Sequence, residues 1–321
     1  MPEPLLEARN LKTYFPIRKG FFSRTVGYVH AVDDIHLSVF PGKTLGLVGE
    51  SGCGKTTAGK TILKLINPTG GDIWFNGERI THYSRQEMKR FRRKMQIIFQ
   101  DPFSSLNPRQ TVASIVAAPL EIHNIVEERE KEGRIADLLM RVGVPPENMR
   151  RYPHEFSGGQ RQRIGIARAL AVNPKLIIGD EPVSALDVSI QAQIINLLKD
   201  LQNKEGIAYI IIAHDLSVVR YMANDISVMY LGKILESAPR DEFYNNPLHP
   251  YSEALLSAIP IPDPFRKRRR IVLKGDVPSP VQIPSGCRFH PRCPYRFEPC
   301  ETENPEFKEA VKGHYVACHL H

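Results

Sequence analysis

A glycine-rich segment that ends in lysine and threonine constrains the fold of this chain more than any other feature. Residues 49–56 read Gly-Glu-Ser-Gly-Cys-Gly-Lys-Thr and fit the pattern G-x-x-x-x-G-K-[ST]. A short apolar run at residues 45–48 precedes the segment, and a helical pattern from residue 55 to about 66 follows it. This order of strand, glycine loop and helix predicts an α/β fold that binds a phosphate chain.

Each residue type in this segment suits the binding of a nucleoside triphosphate with Mg²⁺. The glycines let backbone N–H groups point at phosphate oxygens, and the start of the helix adds the positive end of its dipole. Lys55 supplies a positive charge, and the hydroxyl of Thr56 can ligate Mg²⁺. The predicted nucleotide-binding residues of this part are Gly49, Ser51, Gly52, Cys53, Gly54, Lys55, Thr56 and Thr57.

Cys53 lies inside the loop and allows two interpretations. The helix dipole could lower the pKa of its thiol and make the side chain reactive. Alternatively, Cys53 is only a small spacer between two glycines, and this interpretation is favoured.

Two further buried strands are predicted, and polar residues follow both of them. Residues 176–179 run into Asp180 and Glu181, and residues 209–213 run into His214. Because ligands of open α/β sheets bind at the carboxyl ends of the strands, one crevice could collect these side chains and the glycine loop.

The predicted secondary structure and the composition of the sequence change at two points along the chain. Between about residues 100 and 151, amphipathic helical patterns such as residues 129–142 replace the strand signals, which predicts a helical subdomain at about 101–157. From residue 259, ten prolines between Pro260 and Pro305 and a basic run at 266–270 predict a linker into a small module. The expected division is an ATPase domain at 1–255 and an extension at 256–321.

The net charge and the hydropathy limit the class of protein, but they do not identify its ligand. Forty-three Lys and Arg against 35 Asp and Glu give a net charge of +8, which suits nucleotides, nucleic acids or acidic lipids. The start of the chain lacks the pattern of a secretory signal, and its apolar runs are shorter than the roughly 18 residues of a spanning helix. We therefore expect a soluble or peripheral protein, on the cytoplasmic side if it serves a membrane.

A second pair of glycines, later in the chain, resembles a motif of a known protein family. Residues 156–163, Phe-Ser-Gly-Gly-Gln-Arg-Gln-Arg, precede a helical pattern at 162–171 and resemble the signature peptide of ABC transporter ATPases. In that family the signature peptide of one cassette faces the γ-phosphate that the partner cassette holds, so two cassettes enclose two ATP molecules. The resemblance implies a dimer, with ATP contacts from these residues: Ser157, Gly158, Gly159 and Gln160.

The same resemblance implies roles for the polar residues at the strand ends. Asp180 matches the carboxylate that holds Mg²⁺ through water, and Glu181 matches the general base that activates the attacking water. Gln100 resembles the glutamine that touches Mg²⁺ and the water, and His214 resembles the switch histidine that reaches the γ-phosphate. Singly these residues are weak evidence, but together they occur in the order that the family requires.

Two more positions complete the nucleotide site that the resemblance implies. Residues 184–187 look like the loop through which the two active sites communicate, with Asp187 at its end. Phe15 aligns best with the aromatic residue on which adenine stacks, and Tyr14 is the neighbouring candidate.

Longer stretches are similar to the dipeptide and oligopeptide importers. Residues 98–109, 152–156, 180–189 and 246–251 carry this likeness, and residues 14–20 favour the DppF/OppF kind of ATP-binding subunit. The implied fold is a RecA-like P-loop NTPase cassette with an inserted helical subdomain and a small cysteine-containing extension. The implied function is ATP-driven peptide import at the cytoplasmic face of the plasma membrane.

The implied partners are a second ATP-binding subunit, identical or paralogous, two transmembrane permease subunits and an extracytoplasmic solute-binding protein. Nucleic acid is not expected, although an ABC-type ATPase that acts on nucleic acid or in translation is the main alternative. A non-peptide solute such as a nickel chelate is a further one. Only about one hundred residues separate the glycine loop from the signature peptide, which leaves no room for the long coiled coils of repair ATPases.

Four cysteines near the end of the chain suggest a metal. This region is similar to the C-terminal extension of the same importer family, in which some members hold a [4Fe–4S] cluster. Four thiolates match the number that such a cluster needs, and zinc with help from a histidine is the alternative. Free thiols are a third interpretation. The candidate ligands are Cys287, Cys293, Cys300 and Cys318, with His290, His314, His319 and His321 available for zinc.

Overall fold

The computed structural model describes residues 3–20, 23–259 and 271–321. Its strands are β1 (Leu6–Lys19), β2 (Arg24–Val39), β3 (Thr44–Val48), β4 (Gly70–Phe75), β5 (Glu78–Arg79), β6 (Met95–Ile98), β7 (Leu176–Asp180), β8 (Ala208–Ala213), β9 (Asp225–Tyr230), β10 (Lys233–Pro239), β11 (Lys308–Val311) and β12 (His314–Val316). The strands predicted at 45–48, 176–179 and 209–213 are therefore present as β3, β7 and β8.

Helices connect and follow these strands. They are α1 (Lys55–Ile62), α2 (Met88–Arg92), α3 (Val112–Ile122), α4 (Glu128–Arg141), α5 (Gly158–Leu170), α6 (Val188–Glu205), α7 (Leu216–Met222), α8 (Arg240–Asn245), α9 (Pro250–Ser257) and α10 (Glu298–Thr302). Short 3₁₀ helices lie at Pro146–Arg150, Pro153–Glu155 and His290–Arg292. Within the three described ranges, no helix is both long and apolar enough to span a bilayer.

The chain folds into two compact units. The first comprises residues 1–40, 44–82 and 213–321, and the second comprises residues 41–43 and 83–212. The basic run that the sequence places at 266–270 lies outside the described residues.

The first unit contains two groups of strands. An antiparallel sheet has the order β2-β1-β4-β5, and the remaining strands have the order β11-β12-β10-β9-β3. β3 and β9 are parallel, whereas β9, β10, β12 and β11 pair in antiparallel fashion. Every residue of β3 is buried, as its unbroken apolar sequence requires. A Cβ atom at Gly46 would lie 2.4 Å from Val219 Cγ1, so glycine lets helix α7 pack closely against this strand.

Helix α1 is shorter than the sequence pattern suggests. It ends at Ile62 rather than near residue 66, because Lys64 adopts a left-handed conformation with φ of 55°. Its buried face includes Ala58, Thr61 and Ile62, which fix the helix directly behind the glycine loop.

The second unit combines three parallel strands with helices. Its strands have the order β8-β7-β6, and both neighbouring pairs are parallel. The helix predicted at 129–142 is α4, and the one predicted from 162 begins earlier, at Gly158. Ser157 explains the earlier start, because its hydroxyl accepts the Gln160 N–H while the Gln160 side chain accepts the Ser157 N–H.

Candidate nucleotide-binding and hydrolysis site

The glycine loop connects β3 to α1 in the first unit. Gly49, Gly52 and Gly54 have φ of 150°, 78° and 110°, which side-chain-bearing residues rarely adopt. A Cβ atom at Gly49 would lie 2.1 Å from Met229 O, and one at Gly54 would lie 2.0 Å from Ala31 O. Two of the glycines are therefore required by contact with neighbouring backbone as well as by their own conformation.

Lys55 places its charge at the centre of the loop. Its side chain is buried, and Nζ donates hydrogen bonds to Gly49 O at 2.7 Å and Glu50 O at 2.9 Å. Thr56 follows in the first turn of α1 and is half-buried. An ammonium group, a helix start and a hydroxyl thus lie together, which is the donor set that a triphosphate and Mg²⁺ require.

Cys53 does not have the properties of a reactive thiol. The side chain is only 3% exposed, and burial raises the pKa of its thiol, although the charge of Lys55 acts in the opposite direction. The alternative interpretation, in which the helix dipole lowers the pKa of this thiol, is therefore not supported, since the cost of burying a thiolate exceeds the benefit of the nearby charge. Its Sγ packs where a Cβ of Gly49 would otherwise be, at 2.9 Å, which agrees with the spacer interpretation.

In the second unit, the structure brings Gln100 and Glu181 together. Gln100 follows β6, and Glu181 directly follows Asp180 at the end of β7. Gln100 Nε2 donates a hydrogen bond of 2.8 Å to Glu181 Oε2. Asp180 is buried at 5% exposure, whereas Glu181 is half-buried and Gln100 is exposed. An amide and a carboxylate in this arrangement can share one water molecule, with the carboxylate as proton acceptor.

The backbone at Glu181 is strained. Its φ is 48°, which is uncommon for a residue other than glycine. Its N–H donates to Ile212 O at 2.9 Å, and its carbonyl accepts from Ser184 N–H at 3.2 Å. Such strain occurs mostly at functional sites, where surrounding contacts hold it in place. Here these contacts fix the direction of the carboxylate.

The signature residues form the exposed start of α5, also in the second unit. Ser157 and Gln160 are exposed and are fixed by their mutual capping bonds. A Cβ atom at Gly159 would lie 2.4 Å from Ile190 Cγ2, so only glycine allows α6 to approach this closely. The first-turn N–H groups of α5 therefore form a rigid donor set for an anion.

The remaining predicted residues lie at exposed positions. His214 follows β8, Asp187 directly precedes α6, and both are exposed. Phe15 on β1 is 39% exposed, whereas the Tyr14 hydroxyl donates to Asp33 and its ring lies 4.2 Å from that of His30. Of the two aromatic candidates, Phe15 is thus the one with a free face for stacking.

Sequence patterns missed two residues that hold the loop. The Tyr251 hydroxyl accepts the Glu50 N–H at 2.8 Å, and Arg292 forms an ion pair with the Glu50 carboxylate at 2.7 Å. No spacing rule links these residues to the loop, because they are about 200 and 240 positions away in the chain.

The four C-terminal cysteines are free thiols that influence one another. Burial raises the pKa of Cys287 to about 11, and Cys300, Cys318 and Cys293 add to the shift. In the part of the chain that the structure describes, however, no three His, Cys, Asp or Glu side chains are arranged to hold a metal ion. The predicted metal site is therefore not confirmed by the geometry.

All four histidines considered for zinc already have hydrogen-bond partners. His314 is fully buried and lies 2.7 Å from Glu236 Oε1, which also accepts the Leu248 N–H at 2.9 Å. Although burial raises the pKa of Glu236, hydrogen bonds from His314 and from the Leu248 N–H contribute to a net lowering. The other contacts are those of His290 with Cys287 O, His319 with Glu303 O and His321 with Leu248 O.

Comparison with known proteins identifies the family. Residues 32–184 match the family described as ABC transporter, and residues 235–300 match the oligopeptide/dipeptide transporter C-terminal region. The oligopeptide transport ATP-binding protein AppF of Bacillus subtilis (strain 168) is 55% identical over 99% of this chain and 98% of its own length. The chain belongs to the ATP-binding subunits of oligopeptide and dipeptide ABC transporters.

Other relatives agree with this family. OppF of Bacillus subtilis (strain 168), also described as an oligopeptide transport ATP-binding protein, is 52% identical over 99% of this chain and 97% of its own length. A dimeric post-hydrolysis structure of the ATP-binding cassette MJ0796 with ADP and Pi is 26% identical, with a TM-score of 0.66. That alignment covers 73% of this chain and 98% of the other. The predicted α/β ABC cassette fold is thereby confirmed, and the chain is an ABC-type ATPase.

Proposed function

We propose that this ATPase binds ATP between two cassettes and couples its hydrolysis to the uptake of dipeptides or oligopeptides. The observation that supports this most is the 2.8 Å contact between Gln100 and Glu181, in a chain whose relatives are oligopeptide transport ATP-binding proteins. A strained, fixed carboxylate beside an amide is what activation of a water molecule requires.

The roles of the residues follow from their chemistry. Lys55 and the loop N–H groups bind the phosphates, and Phe15 stacks on adenine. Thr56, Gln100 and Asp180 would hold Mg²⁺, directly or through water. The bound ion neutralises charge on the phosphate oxygens. Glu181 accepts a proton from the attacking water molecule. At the same time the water oxygen bonds to the γ-phosphorus, and the bond between the γ-phosphorus and the bridging oxygen of ADP breaks.

The partner cassette supplies the other face of each ATP in this proposal. Ser157, Gly158, Gly159 and Gln160 contact the γ-phosphate held by the partner, and Asp187 links the two sites. His214 senses the γ-phosphate. The partner is a second ATP-binding subunit, either identical or paralogous.

The remaining assembly is inferred from the family. Two transmembrane permease subunits and an extracytoplasmic solute-binding protein complete the importer, and this chain lies peripherally at the cytoplasmic face of the plasma membrane. Residues 1–255 are the ATPase domain, with its helical subdomain at about 101–157, and residues 256–321 are the extension.

The coupling proposal predicts which partner stimulates hydrolysis. Phosphate release by the full chain should rise several-fold when the permease pair and a peptide-loaded binding protein are reconstituted with it in liposomes. RNA and DNA should have no effect. Stimulation by nucleic acid alone would instead support the alternative ABC-type ATPase. Mass spectrometry of the ligand retained by the binding protein distinguishes a peptide from a nickel chelate.

We also propose that Cys287, Cys293, Cys300 and Cys318 hold a [4Fe–4S] cluster, with zinc as the alternative. The support is the proximity of the four thiols: burial raises the pKa of Cys287, Cys293 and Cys318, and neighbouring cysteines add to each of these shifts. A bound cation would favour the thiolate form of such a group. Zinc needs all ligand sulfurs at about 2.3 Å from one ion, whereas a cluster separates its ligands further.

Metal analysis tests this assignment. Anaerobically purified protein should be brown and contain about four iron atoms per chain. Cys287→Ser should lose most of that iron, whereas Cys53→Ser, which changes a thiol of the glycine loop, should retain it. Colourless protein without iron would overturn the cluster, and stoichiometric zinc would select the alternative.

A further inference from the structure

The C-terminal extension contacts the phosphate loop directly through Arg292. Nη1 donates to Glu50 Oε2 at 2.7 Å and Nη2 donates to Glu50 Oε1 at 3.1 Å. The Arg292 side chain is only 8% exposed. Two parallel charge-assisted hydrogen bonds in a largely buried setting are among the stronger polar contacts in proteins.

Glu50 places a carboxylate inside the phosphate loop. It is the second residue of a loop whose neighbours bind a chain of phosphates, and like charges so close repel one another. Arg292 neutralises this carboxylate. The Tyr251 hydroxyl meanwhile accepts the Glu50 N–H, so both the backbone and the side chain of Glu50 are fixed.

A second arginine of the extension reaches the other end of the nucleotide site. Arg288 is buried at 6% exposure and donates to Asp33 and to Leu231 O. Asp33 also accepts the hydroxyl of Tyr14, the neighbour of the adenine-stacking candidate Phe15. Arg292 thus contacts the phosphate loop, and Arg288 contacts Asp33, which also binds the neighbour of the adenine-stacking candidate.

Between the two arginines, the chain is held rigidly. Phe289 is fully buried, and its ring lies 5.4 Å from that of Tyr230 and 5.3 Å from that of Tyr251. Residues His290–Arg292 form a 3₁₀ helix. A Cβ atom at Gly286 would lie 2.6 Å from Cys300 O, so the start of this segment is also tightly packed. We name residues 286–293 the arginine segment.

We propose that the arginine segment is a positioning element of the ATP site, and that Arg292 sets ATP affinity by neutralising Glu50. In this proposal Arg292 acts on the nucleotide through its contact with Glu50 of the loop. Cys293 directly follows Arg292, so a contact that fixes the position of Cys293 also restricts the position of Arg292. The extension is then a part of the nucleotide site as well as an appendage to the cassette.

A charge-compensation experiment on the full chain tests the proposal. Arg292→Ala should bind a fluorescent ATP analogue about tenfold more weakly, because Glu50 is left unpaired beside the phosphates. Glu50→Gln in the same chain should restore affinity to within about threefold of the parent, since the repulsive charge is gone. Competition by inorganic tripolyphosphate should weaken by the same factor as competition by ATP.

Matched variants separate positioning from folding. Lys308→Ala removes one positive charge from an exposed strand of the same extension and should bind normally. Thermal unfolding without nucleotide reports whether each variant is folded, and Arg292→Gln, which keeps the volume but removes the charge, replaces Arg292→Ala if the latter does not fold. Parental affinity in a folded Arg292 variant would overturn the proposal. So would a double variant as weak as Arg292→Ala alone.

Discussion

Replacement of Glu181 by Gln should leave ATP bound and nearly abolish its hydrolysis. The amide oxygen of glutamine can still accept the hydrogen bond from Gln100 Nε2, which is 2.8 Å from the carboxylate in the parent. It cannot accept a proton from water, however, so turnover should fall by about 10²- to 10⁴-fold. Phosphate release and nucleotide binding, measured on the same reconstituted complex, check this result.

An exposed acid of the same unit serves as the control for this substitution. Glu132 is exposed on α4, and Glu132→Gln removes the same charge from the same unit. It should change neither binding nor hydrolysis. Turnover by Glu181→Gln at a rate close to that of Glu132→Gln would remove Glu181 from the role of general base.

Alanine at Gly54 should disrupt the phosphate loop, whereas alanine at Gly52 should be tolerated. Both glycines have positive φ, 110° and 78°, so both substitutions impose backbone strain of about 1–2 kcal/mol. Only the Cβ at residue 54 also collides, at 2.0 Å from Ala31 O, while the Cβ at residue 52 has open space around it. The loop must move in Gly54→Ala, and displacement of its N–H groups by about 1 Å should reduce ATP affinity about 100-fold.

Comparison of Gly54→Ala with Gly52→Ala separates the effect of the steric collision from the effect of backbone strain. Titration with a fluorescent ATP analogue should give at most a several-fold loss for Gly52→Ala, because its cost is the backbone strain alone. Thermal unfolding shows whether Gly54→Ala still folds. Equal affinities of the two variants would mean that contact with Ala31 does not determine the shape of the loop.

The C-terminal extension connects the cysteine region with the phosphate loop, two features that lie far apart in the sequence. Arg292 is next to Cys293, and it pairs with Glu50 of the phosphate loop. Changes in the cysteine region could therefore reach the nucleotide through a single ion pair. The buried pair of His314 and Glu236 connects β12 of the extension to β10 in the same unit. The extension is thus attached to the first unit at more than one point.

The sequence alone determined the phosphate loop, the strands β3, β7 and β8, and the helical character of α4 and α5. These features are local, since a loop of eight contiguous residues and the periodicity of a strand or helix follow from neighbouring residues. The length of α1 was less certain, because the left-handed turn at Lys64 is not required by its residue type.

The tertiary structure alone decided the properties that depend on distant packing. Burial of Cys53 raises the pKa of its thiol and so decides between the two interpretations of this residue in favour of the spacer. The fold also gives His290, His314, His319 and His321 hydrogen-bond partners within the protein. The contact between Glu50 and Arg292 joins residues 242 positions apart. Burial and charge pairing of this kind depend on which surfaces meet when the chain folds, and no local pattern encodes that.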